Sequence, residues 1–137
     1  MTVGVGLSSH NPRYPKVQPD GSVRMEDINS SFLDASNDAA IAGIKVARSL
    51  GQDDHKTFML MSELAYQSGT SFMSQQNKTG ERYREFAAAM KTGDVSAAQE
   101  AFKRTAAWYY SADPKNRGRI TPRQQNYMLL IQRALKG

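Results

Sequence analysis

The chain is 137 residues long, has no cysteine, and carries 18 basic against 13 acidic side chains, a formal net charge of +5. Its length fits a single domain, residues 1–137, and an apolar share of 39% is enough to bury a core. Without cysteine there is no disulfide framework, thiol nucleophile or Cys-based zinc site, and the apolar runs, such as residues 58–61 and 127–131, are at most five residues long and too short to span a membrane.

Residues 1–24 read as an irregular head rich in Gly and Pro. Thr2-Val3-Gly4-Val5-Gly6-Leu7 alternates and is β-branched, which predicts a short strand or hairpin arm. Asn11-Pro12, Tyr14-Pro15 and Pro19-Asp20-Gly21 predict turns. Residues 25–137 read as a helical body of five or six helices. From Met25, the positions Ile28, Phe32, Ala35, Ala39, Gly43, Val46 and Leu50 share one face of a long helix that Gly51 stops. Asp53 or Asp54 caps a second helix, which buries Phe58, Met61, Leu64, Ala65 and Tyr66 and ends at Gly69. A polar stretch, residues 74–80, precedes a third helix with Tyr83, Phe86 and Met90 inward. Asp94 caps a fourth that runs through Ala98 and Phe102 towards Trp108. Thr121-Pro122-Arg123-Gln124 is a capping box, and Met128, Ile131 and Leu135 are the expected buried stripe of the last helix. The fold class is therefore mainly α with a small β start.

Conventional catalytic and metal sites are not expected. His10 and His55 are the only histidines and lie far apart, so neither a metal site nor a cofactor is assigned. Ser8, Ser9 and His10 are adjacent, which is no sign of a nucleophilic triad, and Gly4-x-Gly6 lacks the third glycine of a dinucleotide fingerprint. Residues 114–137 hold Lys115, Arg117, Arg119, Arg123, Arg133 and Lys136 and no acid. A basic end of this kind suits an anionic partner: nucleic acid, a lipid surface or an acidic polymer such as cell-wall material.

Four segments occur in an order that resembles the phage-type lysozymes, the muramidases of bacteriophages. They are Thr2-Val3-Gly4-Val5-Gly6; Glu63-Leu64-Ala65-Tyr66-Gln67-Ser68-Gly69 with Phe72; Phe86 to Lys91 with Thr92-Gly93-Asp94 and Ala97-Ala98; and Trp108-Tyr109 followed by Pro114-Lys115-Asn116-Arg117. The resemblance implies an α+β lysozyme-like fold acting at bacterial peptidoglycan, as a component of a phage tail or ejection apparatus. It implies that Thr2 helps to place the attacking water, that Gln67 and Trp108 pair on the cleft floor beside Tyr66, and that Arg117 partners the catalytic Glu. The family's Glu-bearing helix and the Asp of its hairpin have no counterpart in these residues. Glycoside hydrolysis needs two carboxyl groups, so the catalytic acid is expected to be missing, with Glu63 the least implausible substitute.

That defect leads to further expectations. A face left bare by the missing helix is covered by another chain or by self-association, and Arg117 is exposed or satisfied from outside. The chain alone is then a non-catalytic structural or interaction protein of a phage assembly. A small basic protein that binds nucleic acid or a host factor is the third reading. No secretory signal is visible at residues 1–6, which fits a virion component or the host cytoplasm before assembly.

Overall fold

The structure is a computed structural model and describes residues 2–3, 7–8, 11–52 and 54–136, the first two pairs by backbone alone. Among the described residues there are six helices, α1 (Met25–Ser49), α2 (His55–Ser68), α3 (Lys78–Thr92), α4 (Val95–Phe102), α5 (Ala106–Ser111) and α6 (Pro122–Lys136). None is long and apolar enough to cross a membrane. At the head, Thr2–Val3 (β1) pairs antiparallel with Leu7–Ser8 (β2), Thr2 opposite Ser8. Two residues a side fall short of the strand or hairpin arm expected there, so that arm is not shown; isolated pairs of this length have little stability of their own. Gly4, Gly6, Ser9 and His10 lie outside the described residues.

Local signals place most helix ends. Asp54 caps α2 by accepting from the Thr57 N–H at 3.0 Å, whereas Asp53 lies outside the described residues. Asn77 accepts from Gly80 N–H and Asp94 from Ala97 N–H, so α3 begins at Lys78, inside the stretch expected to separate two helices. Gly51 and Gly93 follow α1 and α3 with φ near +75°, where a side chain would be strained. The capping box is formed: Thr121 Oγ accepts from Gln124 N–H at 3.1 Å, and Gln124 Oε1 accepts from Thr121 N–H at 3.0 Å.

Two expectations about the body are corrected. The fourth helix stops at Phe102 and does not reach Trp108, which sits on α5. Thr105 makes the break, because its hydroxyl donates to the Phe102 carbonyl at 2.7 Å and accepts from Trp108 N–H at 3.5 Å, closing one helix and capping the next. On α6 the fully buried stripe is Gln124, Tyr127, Ile131 and Ala134, one position before Met128 and Leu135, which are only half-buried.

The core lies between α2, α3, α4 and α6, around Leu60, Met61, Leu64, Phe86, Met90, Phe102 and Ile131, all at most 1% exposed. The long helix α1 lies along α2 through Ala35, Ala39, Gly43 and Ala47. Gly43 permits the approach: a Cβ there would come within 2.7 Å of Ser62 Cα. The other side of α1 leaves Met25, Leu33 and Ile41 exposed.

Tyr83, fully buried on α3, joins three elements. Its hydroxyl lies 2.6 Å from Ser68 Oγ at the end of α2 and accepts from Ala107 N–H in the first turn of α5 at 3.1 Å. Its ring meets Phe72 edge-on at 5.2 Å. Tyr83→Phe keeps the ring and strands the buried Ala107 N–H. The variant is expected to lose about 1–3 kcal/mol of stability, read as a lower denaturant midpoint at unchanged slope.

Candidate functional site

The helix ends around Tyr83 leave a cavity of about 630 Å³. The end of α2 contributes Gln67 and Ser68, and the start of α3 contributes Lys78, Thr79, Arg82 and Tyr83. The α4–α5 junction adds Arg104, Thr105 and Ala107, α5 adds Tyr109, Tyr110 and Ser111, and α6 adds Arg123 and Tyr127. The α6 wall is held to α5 by Thr121 Oγ, which donates to the Ser111 carbonyl at 2.7 Å, and by Gln124 Nε2, which donates to the Trp108 carbonyl at 3.3 Å. Gln124 is 1% exposed, so its bonds are shielded from competing water.

The lining is cationic and rich in tyrosine, and no carboxylate belongs to it. Lys78 pairs with Glu81 at 3.4 Å and Arg82 with Glu85 at 3.0 Å, both across one helical turn. Among the described residues, no acid pairs with Arg104 or Arg123. Tyr109 and Tyr110 stand at the mouth, 55% and 80% exposed, with rings edge-to-face at 5.2 Å. Tyr83 and Tyr127 form the floor. Burial, and secondarily the charge of Glu63, push the Tyr127 phenol up to about 12, with Arg123 pulling the other way. Burial also raises Tyr83, against the hydrogen bonds from Ser68 and Ala107.

A second, shallower groove of about 390 Å³ runs between α1 and α2, lined by Phe32, Ser36, Ala39, Met59, Ser62, Glu63, Tyr66 and Gln67. Glu63 is its one carboxylate. Tyr66 meets Phe32 edge-on at 6.2 Å, and burial and then Glu63 raise its phenol. Among the described residues, no group of three or more His, Asp or Glu converges as metal ligands would.

The residues singled out from sequence therefore separate. Glu63 and Tyr66 line the smaller groove, and Gln67 stands exposed on the rim between the two. Trp108 lines neither. It packs edge-on against Phe102 at 6.3 Å with Lys103 Nζ 5.9 Å above its ring. No hydrogen bond joins Gln67 to Trp108 among the described residues, because neighbours on a helix point about 100° apart: Ala107 faces the cavity and Trp108 turns to Phe102. Arg117 is exposed and folds back onto α5, its guanidinium 3.9 Å over the Tyr109 ring and donating to the Tyr109 carbonyl at 2.6 Å. Thr2 is described by backbone alone, opposite Ser8.

Sequence reasoning missed Arg104 and the two floor tyrosines, Tyr83 and Tyr127, as site residues. It read Arg123 only as part of a basic tail. Tyr127 had a partial signal, since Arg123 precedes it by one helical turn and so shares its face. The tail does not act as one patch: Arg119 approaches Asp113 at 3.9 Å, and Arg133 and Lys136 close the last turn of α6.

Compared with protein-family models, with curated proteins and with solved structures, the chain matches none. The likeness to phage lysozymes rests on the four sequence segments.

The floor tyrosine carries a stability prediction. Tyr127 ionises near 12 when folded and near 10 when not, so the folded state holds its proton more tightly. Its contribution is complete below pH 10 and is lost as the pH climbs through 12, for a total of about 3 kcal/mol. Denaturant unfolding of wild type and Tyr127→Phe across pH 9–12 is expected to show a shallower alkaline decline in the variant.

Proposed function

We propose that these 137 residues form a lysozyme-like module that binds an acidic bacterial cell-wall polymer and does not cleave it, carried as a component of a phage tail or ejection apparatus. The observation behind binding without cleavage is the lining of the larger cavity, which presents cations and phenols and no carboxylate. A muramidase sets two carboxyl groups on either side of the scissile bond. Glu63, the nearest substitute, lies in the other groove, without a second acid. Peptidoglycan carries carboxylates on its peptide stems, which suit Arg104 and Arg123. Its sugar rings offer apolar faces to exposed Tyr109 and Tyr110. The cell-wall assignment itself comes from the four ordered sequence segments.

A second reading is single-stranded nucleic acid. It is favoured by one arrangement that sequence runs do not contain: exposed Tyr109 and Tyr110 beside unpaired Arg104 and Arg123, a stacking platform next to cations.

Both readings are tested by incubating the purified chain with bacterial sacculi and with a mixed-sequence DNA oligonucleotide. The expected result is co-sedimentation with sacculi at low salt. Arg104→Gln/Arg123→Gln is expected to weaken it by about tenfold or more with folding unchanged. No soluble muropeptides are expected by mass spectrometry. Muropeptides that vanish on Thr2→Ala overturn the non-hydrolytic reading. Binding to the oligonucleotide alone, falling steeply with salt, transfers the site to the second.

A further inference from the structure

We infer that the groove between α1 and α2 binds a primary alkylammonium group, the side chain of a lysine-type residue in a peptide partner, with the Glu63 carboxylate holding the ammonium and Phe32, Met59 and Tyr66 lining its methylene stem. This site lies across Gln67 from the larger cavity and does not depend on what that cavity binds.

The charge of the groove selects the sign of its ligand. Glu63 supplies the one carboxylate of the lining, and no lysine or arginine accompanies it. Among the described residues no cation pairs with Glu63. Its charge is felt by the tyrosines around it: after burial, it is the next cause that raises the phenols of Tyr66 and Tyr127. At Tyr127, Arg123 acts in the opposite direction and less strongly than Glu63. An anion is repelled from such a surface and a cation is drawn to it.

The walls specify which cation fits. Phe32 and Tyr66 are half-buried, and their rings stand at 81° with centroids 6.2 Å apart, an aromatic corner in the same groove as the carboxylate. Aromatic rings attract cations through their negative faces. Met59, 57% exposed, adds a thioether side chain that adapts to an apolar stem. The hydroxyls of Ser36 and Ser62 line the groove too, no described group bonds either, and both accept from N–H donors. A carboxylate flanked by hydroxyls suits a primary ammonium, which donates N–H hydrogen bonds, over a quaternary one, which has no N–H. The volume of about 390 Å³ suits one side chain and its head group. A lysine-type side chain joins an ammonium to an apolar stem, so that each part meets a matching surface in the groove.

The test uses the full chain with 13C-labelled methionine methyls, titrated at neutral pH and constant ionic strength with Nα-acetyl-lysine amide. Two further probes run alongside: the norleucine analogue, which keeps an apolar stem without the charge, and the Nε-trimethyl-lysine analogue, which keeps the charge without an N–H. The expected result is a saturable shift of the Met59 methyl by the lysine probe, with none at Met25, which is 70% exposed and outside the groove. The norleucine probe is expected to bind about tenfold more weakly and the trimethyl probe about threefold more weakly. Glu63→Gln, which keeps the shape of a half-buried side chain, is expected to weaken the lysine probe by about tenfold and to leave the norleucine probe unchanged. Denaturant unfolding checks the variant; where it is unstable, the ranking of the three probes on the unaltered chain decides. A non-saturating shift, an equal shift at Met25, norleucine binding as tight as lysine, or unchanged lysine affinity in a folded Glu63→Gln overturns the site. Trimethyl-lysine binding as tight as lysine, or tighter, overturns the assignment to a primary ammonium.

Discussion

The hydroxyl of Tyr83 is the point on which the helical body depends. A helix leaves its first N–H groups without internal partners, and α5, only six residues long, starts in the interior. One of those donors, Ala107 N–H, is buried and has the Tyr83 hydroxyl as its acceptor. The same oxygen meets Ser68 at the end of α2. A single phenol thus sets the distance between α2, α3 and α5, and the cavity is the space those helix ends leave around it. Its floor is buried, and its mouth carries the exposed side chains.

The fourth wall is placed by a second polar device. Thr121 and Gln124 cap α6 reciprocally, and each also reaches a carbonyl of α5. A motif that starts a helix therefore docks it as well. The docking turns the first face of α6 towards the cavity and brings Arg123 and Tyr127 opposite Arg104. Cations from α3, the α4–α5 junction and α6 then share one concave surface. Clustered cations raise the local concentration of anions more than the same charges spread over a surface. Two of them are paired with Glu81 and Glu85 one turn away, whereas no acid pairs with Arg104 or Arg123 among the described residues.

The geometry bears differently on the two parts of the lysozyme resemblance. A helical body suits both a lysozyme-like chain and many others, so the fold does not discriminate. The expected site residues are more informative. Arg117, without a carboxylate, does not stay buried and unpaired, which would cost several kcal/mol; it stacks on Tyr109 in the open. Trp108 packs against the core, and Glu63 stands in the apolar groove against α1. The residues that the resemblance associates with hydrolysis are dispersed, and cations and tyrosines converge on the larger cavity.

Helix positions and most helix ends were legible in the sequence because they are set locally. Apolar spacing, Asp caps, glycine stops and the Thr121–Gln124 box act over three or four residues and appear in the structure where those residues stand, whereas the Asn77 cap lies in a stretch read as a separator. The break at Thr105 was harder to read: a threonine that closes one helix and opens the next has the same local signature as one inside a helix. The candidate site was legible only in fragments. A basic tail was visible, but the useful charge is Arg123 from that tail combined with Arg104, and the floor is Tyr83 and Tyr127, 44 positions apart in the chain. The sequence by itself determined the helices, their polar ends and the surplus of positive charge, because these follow from neighbours along the chain. Only the tertiary structure decided which tyrosines form a floor, which arginines lack an acid and that the one tryptophan packs half-buried against the core, because those depend on how buried hydrogen bonds set helix ends against one another.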